Sequence, residues 1–163
     1  MQGDFARWLY RGKRPSRLAM AMNKISEFIG RVGLAGNYMV TLQVKGRKTG
    51  RIISFPVVVA PVDRERYLVA MLGENVAWVR NVRAADGRAV LCHGRREAVI
   101  LDEVATNQRA PILQVFLRRA PGARPHIPID RNAPLTEFEK IAAAFPVFRV
   151  RSDPDRTAAP RRR

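Results

Sequence analysis

Val40-Thr-Leu-Gln-Val-Lys45-Gly46-Arg47-Lys48-Thr49-Gly50-Arg51-Ile-Ile-Ser54-Phe55-Pro56-Val57-Val-Val59 is the stretch on which the fold turns. Val40, Leu42 and Val44 alternate with Thr41, Gln43 and Lys45, the period-two pattern of a strand with one buried face. Ile52 to Val59 is apolar at nearly every position, as expected of a strand covered on both sides. Gly46 and Gly50 can adopt the positive φ that a tight hairpin requires. Around them Arg47, Lys48, Thr49 and Arg51 crowd cations, a hydroxyl and backbone N–H groups into one loop, chemistry suited to a phosphate or another polyanion. The same residues also read as a solvated turn whose cations discourage edge-to-edge pairing. Taken alone, the loop leaves both readings open.

Downstream, Tyr67-Leu-Val-Ala-Met-Leu72 reads as a third strand stopped by Gly73. Asn75 is an N-cap candidate for a short amphipathic helix carrying Val76, Trp78, Val79 and Val82. Asp86-Gly87 turns the chain into a fourth strand, Arg88 to His93, and Gly94-Arg95-Arg96 forms a second hairpin leading to a fifth, Glu97 to Val104. A helix through Ile112 to Leu117 follows, with Pro111 tolerated in its first turn. A loop with Pro121, Pro125 and Pro128 surrounds His126; a helix over Leu135–Phe145 and a closing strand, Pro146 to Val150, complete the pattern. Upstream, residues 1–37 are basic, and Leu18, Met22, Ile25 and Phe28 recur at helical spacing. That segment suits a helix packed on the core, or one lying on an anionic membrane surface through residues 1–29.

The chain of 163 residues fits one compact domain with a substantial core. We divide it into an N-terminal helical segment (1–37), a barrel domain (38–151) and a basic flexible tail (152–163). The pattern predicts an α+β fold: a six-stranded, mainly antiparallel split β-barrel with flanking helices. A net charge of +16 and a pI near 11.5 favour anionic ligands or surfaces. One cysteine, Cys92, excludes an internal disulfide, and no metal-ligand spacing is present. No apolar run approaches membrane-spanning length and no signal-peptide pattern opens the chain, so a cytoplasmic protein is expected, with membrane contact at most peripheral.

The motifs in order, Gly46-Arg47-Lys48-Thr49-Gly50 with Pro56, then Leu68-Val-Ala-Met-Leu-Gly73, Trp78-Val-Arg-Asn81-Val-Arg and the closing Pro-Val-Phe-Arg-Val, resemble the deazaflavin-dependent nitroreductase and quinone reductase family, over residues 35–151. The resemblance implies a split barrel that uses coenzyme F420. It implies that Arg47, Lys48, Thr49, Gly50 and Arg51 hold the coenzyme's phosphate and acidic tail, and that Ser54, Phe55, Pro56 and Val57 line the ring edge. Ala70, Met71, Leu72 and Gly73 would lie against the deazaflavin, with Trp78 and Asn81 completing the site. The chain departs from the family pattern at Ile53, where many members carry Arg, at Met71, where Ser is usual, at Leu72, where Lys is sometimes found, and at Ala77, where a Pro precedes the tryptophan.

A deazaflavin carries the hydride itself, which accords with the absence of a Ser-His-Asp set or paired carboxylates. Reduction of a quinone, nitro group or activated alkene also needs a proton, and His126 titrates in the right range to give it; a loop histidine without a role is the alternative. Trp78 at this spacing also suits a core position. The expected function is therefore a deazaflavin-dependent oxidoreductase acting on a small hydrophobic acceptor. The alternatives are an FMN-binding barrel reductase and a non-catalytic basic module binding anions or nucleic acid. Specific nucleic-acid binding is not expected, because no aromatic-interleaved basic platform is present.

Overall fold

The computed structural model describes residues 39–120 and 123–157. The helix and membrane contact expected of residues 1–37 lie outside them, as do residues 158–163 of the tail. The strands are β1 (Met39–Lys45), β2 (Ile52–Val62), β3 (Glu65–Val69), β4 (Arg88–His93), β5 (Arg95–Glu103) and β6 (Val147–Ser152). The helices are α1 (Ala77–Ala84), α2 (Ala110–Arg119), α3 (Leu135–Ile141) and the four-residue α4 (Pro154–Thr157).

Every strand pairing is antiparallel, and the order β1-β2-β3-β6-β5-β4 closes on itself through β4 and β1, with Gln43 opposite Val90. The period of two sorts the side chains onto two faces. Leu42, Val44, Phe55, Leu68, Leu91 and Phe148 fill the interior. A second apolar cluster lies outside, where Ala60, Val69 and Val147 meet Leu113 and Phe116 of α2 and Phe138 of α3. Burial of side chains this large contributes roughly 1.5–3 kcal/mol each, so both clusters matter to stability.

Antiparallel order brings the C-terminal ends of β1, β3 and β5 and the N-terminal ends of β2, β4 and β6 to one end of the barrel. Val79 and Val82 of α1 join the interior cluster there. Gly87 makes this junction possible. Its φ is +78°, and a Cβ would stand 2.6 Å from the Leu101 carbonyl oxygen, a contact only glycine avoids. Arg109, 6% exposed, ties down the same end: its guanidinium donates to the carbonyls of Val104 and Ala142 and to Glu103.

The sequence reading needs four corrections. β3 begins at Glu65 and stops at Val69, because its partner β6 begins at Val147 and the Ala70 N–H bonds the Pro146 carbonyl instead. Ala70–Gly73 is therefore a turn. The N-cap of α1 is Val76, while Asn75 accepts a hydrogen bond from Arg80. The helix expected over Leu135–Phe145 ends at Ile141 and tightens to a 3-10 turn over Ala142–Ala144. Finally, the ordered chain runs into the segment expected to be a tail: Asp153 is buried, its N–H bonds the Ala98 carbonyl, and α4 follows.

Candidate functional site

The β1–β2 hairpin is held by its own backbone. The Gly46 N–H donates to the Arg51 carbonyl at 2.7 Å and the Gly50 N–H to the Gly46 carbonyl at 2.8 Å, with Gly50 at φ +69°. Thr49 Oγ1 accepts the Arg51 N–H at 3.3 Å. Lys48 and Arg51 stay exposed. Arg47 behaves differently. Its backbone N–H and its Nη1 both donate to Asn81 Oδ1, at 3.2 and 2.9 Å. Asn81 is 3% exposed on α1, so one buried amide clasps the hairpin to the helix.

Closure of the barrel bears on the two readings of this loop. β1 pairs with β2 and β4, and β2 with β1 and β3, so neither strand is an edge in need of protection. The argument for the cations as edge guards loses its premise.

Beside the hairpin, a groove of about 580 Å³ opens on the outer face of β1 and β4, within the usual size range for ligand sites. Gln43 and Lys45 come from β1, Arg88 from β4, Arg96 from β5 and Arg156 from α4, with Arg47 at the hairpin end. Five cations thus face one carboxylate, Asp86. Gln43 Oε1 is buried without a hydrogen-bond partner, which is costly unless a ligand satisfies it.

Several arginines on the barrel wall have carboxylate partners. Arg66 pairs with Glu97, Arg83 with Glu74 and Glu103, and Arg149 and Arg151 with Asp102. The hydrogen bond from Arg66 holds the Glu97 carboxyl below its ordinary range; Arg151 does the same to Asp102, and Arg83 to Glu74. Among the described residues, Lys45, Arg88, Arg96 and Arg156 form no ion pair. Four cations without an ion pair thus line one groove.

The residues singled out from the sequence divide among three places. Arg47 to Arg51, Trp78 and Asn81 meet at the α1 end of the barrel. Trp78 is wedged between Phe55 and Phe148, ring centroids 5.9 and 5.4 Å away, so it is first of all a plug for the barrel. Ser54 to Val57 cannot line one surface together: Phe55 and Val57 pack on the interior cluster, while Ser54 and Pro56 alternate to the other face. In the Ala70–Gly73 turn, Ala70 is buried, Met71 packs on the outer cluster and Leu72 is 47% exposed. His126 is exposed in the α2–α3 connection, anchored by its neighbours Ala123 and Ile127, and does not line the groove.

Gln43, Lys45, Arg88, Arg96 and Arg156 were not anticipated. The outward register of the four on strands was legible, but the adjacency of β1 and β4, and the placing of Arg156 on α4 beside them, was not. Among the described residues no group of His, Cys, Asp and Glu is placed to hold a metal ion, and no helix is long and apolar enough to cross a membrane.

A sequence profile described as F420H(2)-dependent quinone reductase matches residues 16–136 of the chain. No curated protein matches. Among solved structures, an F420-H2 dependent reductase is 16% identical, with 71% of this chain and 95% of that chain covered and a TM-score of 0.49. A protein of unknown function from Agrobacterium tumefaciens is 13% identical, at 73% and 50% coverage and a TM-score of 0.53. A heme binding protein from Mycobacterium smegmatis is 14% identical, at 73% and 48% coverage and a TM-score of 0.50. The last two likenesses show a common fold.

Proposed function

The chain belongs to the F420H(2)-dependent quinone reductase family, and from that premise we propose that it reduces small, hydrophobic, electron-poor acceptors: quinones, nitro compounds or activated alkenes. It is an F420-dependent oxidoreductase built on a closed six-stranded barrel. The coenzyme, when bound, supplies the hydride.

What the chain's own residues contribute is binding, orientation and a proton. The donor set fits the coenzyme's phosphate and acidic tail: an exposed hairpin with Arg47, Lys48, Thr49 and Arg51, continuous with a groove of unmatched cations. The observation that carries the reading is the Arg47–Asn81 clasp. It fixes a cationic loop in place before any ligand arrives, so less ordering is left for binding to oppose. Trp78, half-buried against Phe55 and Phe148, offers the flat apolar surface on which a ring system rests. We assign the proton to His126, which is exposed on the α2–α3 connection.

Residues 1–29 complete the proposal as an amphipathic contact with anionic membrane on the cytoplasmic side. Equal pelleting with anionic liposomes by the full chain and by a chain lacking those residues refutes that contact.

The test of the function is an anaerobic titration of the full-length protein with reduced F420, followed by a small quinone, a nitroaromatic or an enone. Stoichiometric binding and acceptor-dependent return of oxidised deazaflavin absorbance support the reading. Failure of reduced F420 to bind refutes it. Binding without turnover of any of the three acceptors refutes the acceptor class alone.

A further inference from the structure

We propose that Arg83 is a positioning residue: with Glu74 and Glu103 it locks the turn after β3 to α1 and β5, and so sets where the coenzyme's ring stands relative to the hairpin that holds its phosphate. The inference rests on the coenzyme assignment above and concerns residues to which that assignment gives no part. Arg83 acts through the segments it joins rather than by touching the coenzyme.

Every nitrogen of the Arg83 guanidinium meets a carboxylate. Nε and Nη2 donate to Glu103 Oε2 and Oε1 at 2.9 and 2.6 Å, and Nη1 donates to Glu74 Oε1 at 2.5 Å. Glu103 Oε1 also accepts Arg109 Nη2 at 3.2 Å. Arg109 is buried, and its remaining donors reach the carbonyls of Val104 and Ala142. One chain of contacts therefore runs from Glu74, the residue after Gly73, through α1 and the end of β5 to the start of α2 and the 3-10 turn at Ala142. That 3-10 turn backs the turn after β3 in its own right. The Ala144 carbonyl oxygen lies 3.5 Å from where a Cβ on Gly73 would stand, and the Ala70 N–H bonds the Pro146 carbonyl. The turn is thus gripped from two sides.

The helix needs such a lock. It has eight residues, its N-cap Val76 supplies no side-chain hydrogen bond and its first turn holds no acid, so little within the helix fixes it. Asn81 and Arg83 are two residues apart, about 200° around the helix axis. α1 is therefore held on opposite sides, by the Arg47 hairpin through Asn81 and by Glu74 and Glu103 through Arg83. A helix held on one side only can roll about that contact, carrying with it Trp78, the surface assigned to the ring. Exposed ion pairs contribute little to stability, and the Arg83 side chain is 38% exposed. Its geometry suits direction better than stability: a planar fork that meets Glu103 with two donors and Glu74 with a third permits one arrangement of the three elements. A shift of about 1 Å between reacting atoms costs about 100-fold in rate, and it leaves binding nearly intact.

The experiment compares the full-length wild type with Arg83→Gln, Glu74→Ala and the double variant. Arg66→Gln is the control: it breaks a fork of similar exposure, Arg66 on Glu97, near the opposite end of the barrel. Glu103 is left in place, because its loss would strand the buried charge of Arg109. Thermal melts confirm that each variant is folded. Each protein is titrated with F420, the circular dichroism of the bound deazaflavin is recorded, and turnover of a small quinone gives kcat and KM; the dichroism needs no acceptor. Arg83→Gln should lower kcat about 30-fold and Glu74→Ala about tenfold, both with an altered dichroic band and with coenzyme Kd changed by less than about threefold. The double variant should be no worse than Arg83→Gln, since the two residues act through one contact. Arg66→Gln should match wild type in all three readouts. A folded Arg83→Gln with wild-type kcat and dichroism overturns the inference and leaves the coenzyme assignment standing. So does a double variant whose loss is the product of the two single losses, and so does a loss confined to Kd, which would make Arg83 a plain binding cation. If wild type binds no F420, the coenzyme assignment falls and this inference with it.

Discussion

Replacing Asn81 tests whether the hairpin is held ready for its ligand or merely sits where it does. In Asn81→Ala the Arg47 N–H and Nη1 lose their shared acceptor. A neutral hydrogen bond is worth about 1 kcal/mol and one from a charged group about 1.5–3 kcal/mol. Arg47 is exposed, however, and water re-solvates its guanidinium, so the net loss is about 1–2 kcal/mol. For a chain of this size that lowers the melting temperature by roughly 3–8 °C. The larger effect is on binding. Freeing two residues of the hairpin, each costing about 1 kcal/mol to re-order, weakens coenzyme affinity roughly 30-fold. Asn81→Asp separates the clasp from the charge: the carboxylate still accepts both bonds, so melting stays within about 2 °C of wild type, yet Arg47 is neutralised and affinity falls about tenfold. Differential scanning fluorimetry and fluorescence titration with reduced F420 read the two effects. An Asn81→Ala protein that melts and binds as wild type refutes the clasp. An Asn81→Asp protein that binds as tightly as wild type removes Arg47's charge from the site.

Gly87→Ala forces a left-handed φ on alanine, at about 1–2 kcal/mol, and drives a Cβ to 2.6 Å from the Leu101 carbonyl oxygen. Melting should drop by more than about 5 °C, and hydrogen exchange should rise first at the α1–β4 junction; a melt like that of wild type would show that the strands give way easily there. Glu97 and Asp102 have pKa values held below their ordinary 4.5 and 3.8 by hydrogen bonds from Arg66 and Arg151. Depressed carboxyls contribute stability above their unfolded pKa and lose it as pH falls through the folded one, so melting should decline below about pH 5. Glu97→Gln should flatten part of that decline, modestly because the pair is partly solvated; an unchanged profile assigns it to other groups. His126→Gln should cut turnover roughly 100-fold with coenzyme affinity unchanged; turnover equal to wild type moves the proton to another group.

Most of the barrel was readable because its strands announce themselves locally. Val40-Leu42-Val44 alternates, Gly46 and Gly50 bracket a turn, and Gly94 links β4 to β5 with a φ of +70°. The end of β3 was not readable. Ala70-Met71-Leu72 is apolar enough for a strand, but β6 offers no partner beyond Val69, and that limit is set from a distance of some eighty residues. The candidate site shows the same division. Arg47 and Asn81 belong to separate motifs, each visible, and only folding makes one the acceptor of the other. The groove was invisible for a different reason: Lys45, Arg88, Arg96 and Arg156 lie on four elements, and each alone resembles an ordinary surface cation. That β1 closes against β4, and that α4 packs beside β5, are properties of the whole chain.

The barrel's polarity has a practical consequence. With the hairpin, α1 and the turn after β3 gathered at one end, the β2–β3 turn at Asp63-Arg64, where both residues take positive φ, sits at the other. That turn is free of the demands made on Gly46–Arg51. A fluorophore, an affinity handle or an inserted peptide placed there would ride at the far pole of the molecule. The protein could then be tethered to a surface by that pole with its cationic mouth turned outward, toward solution.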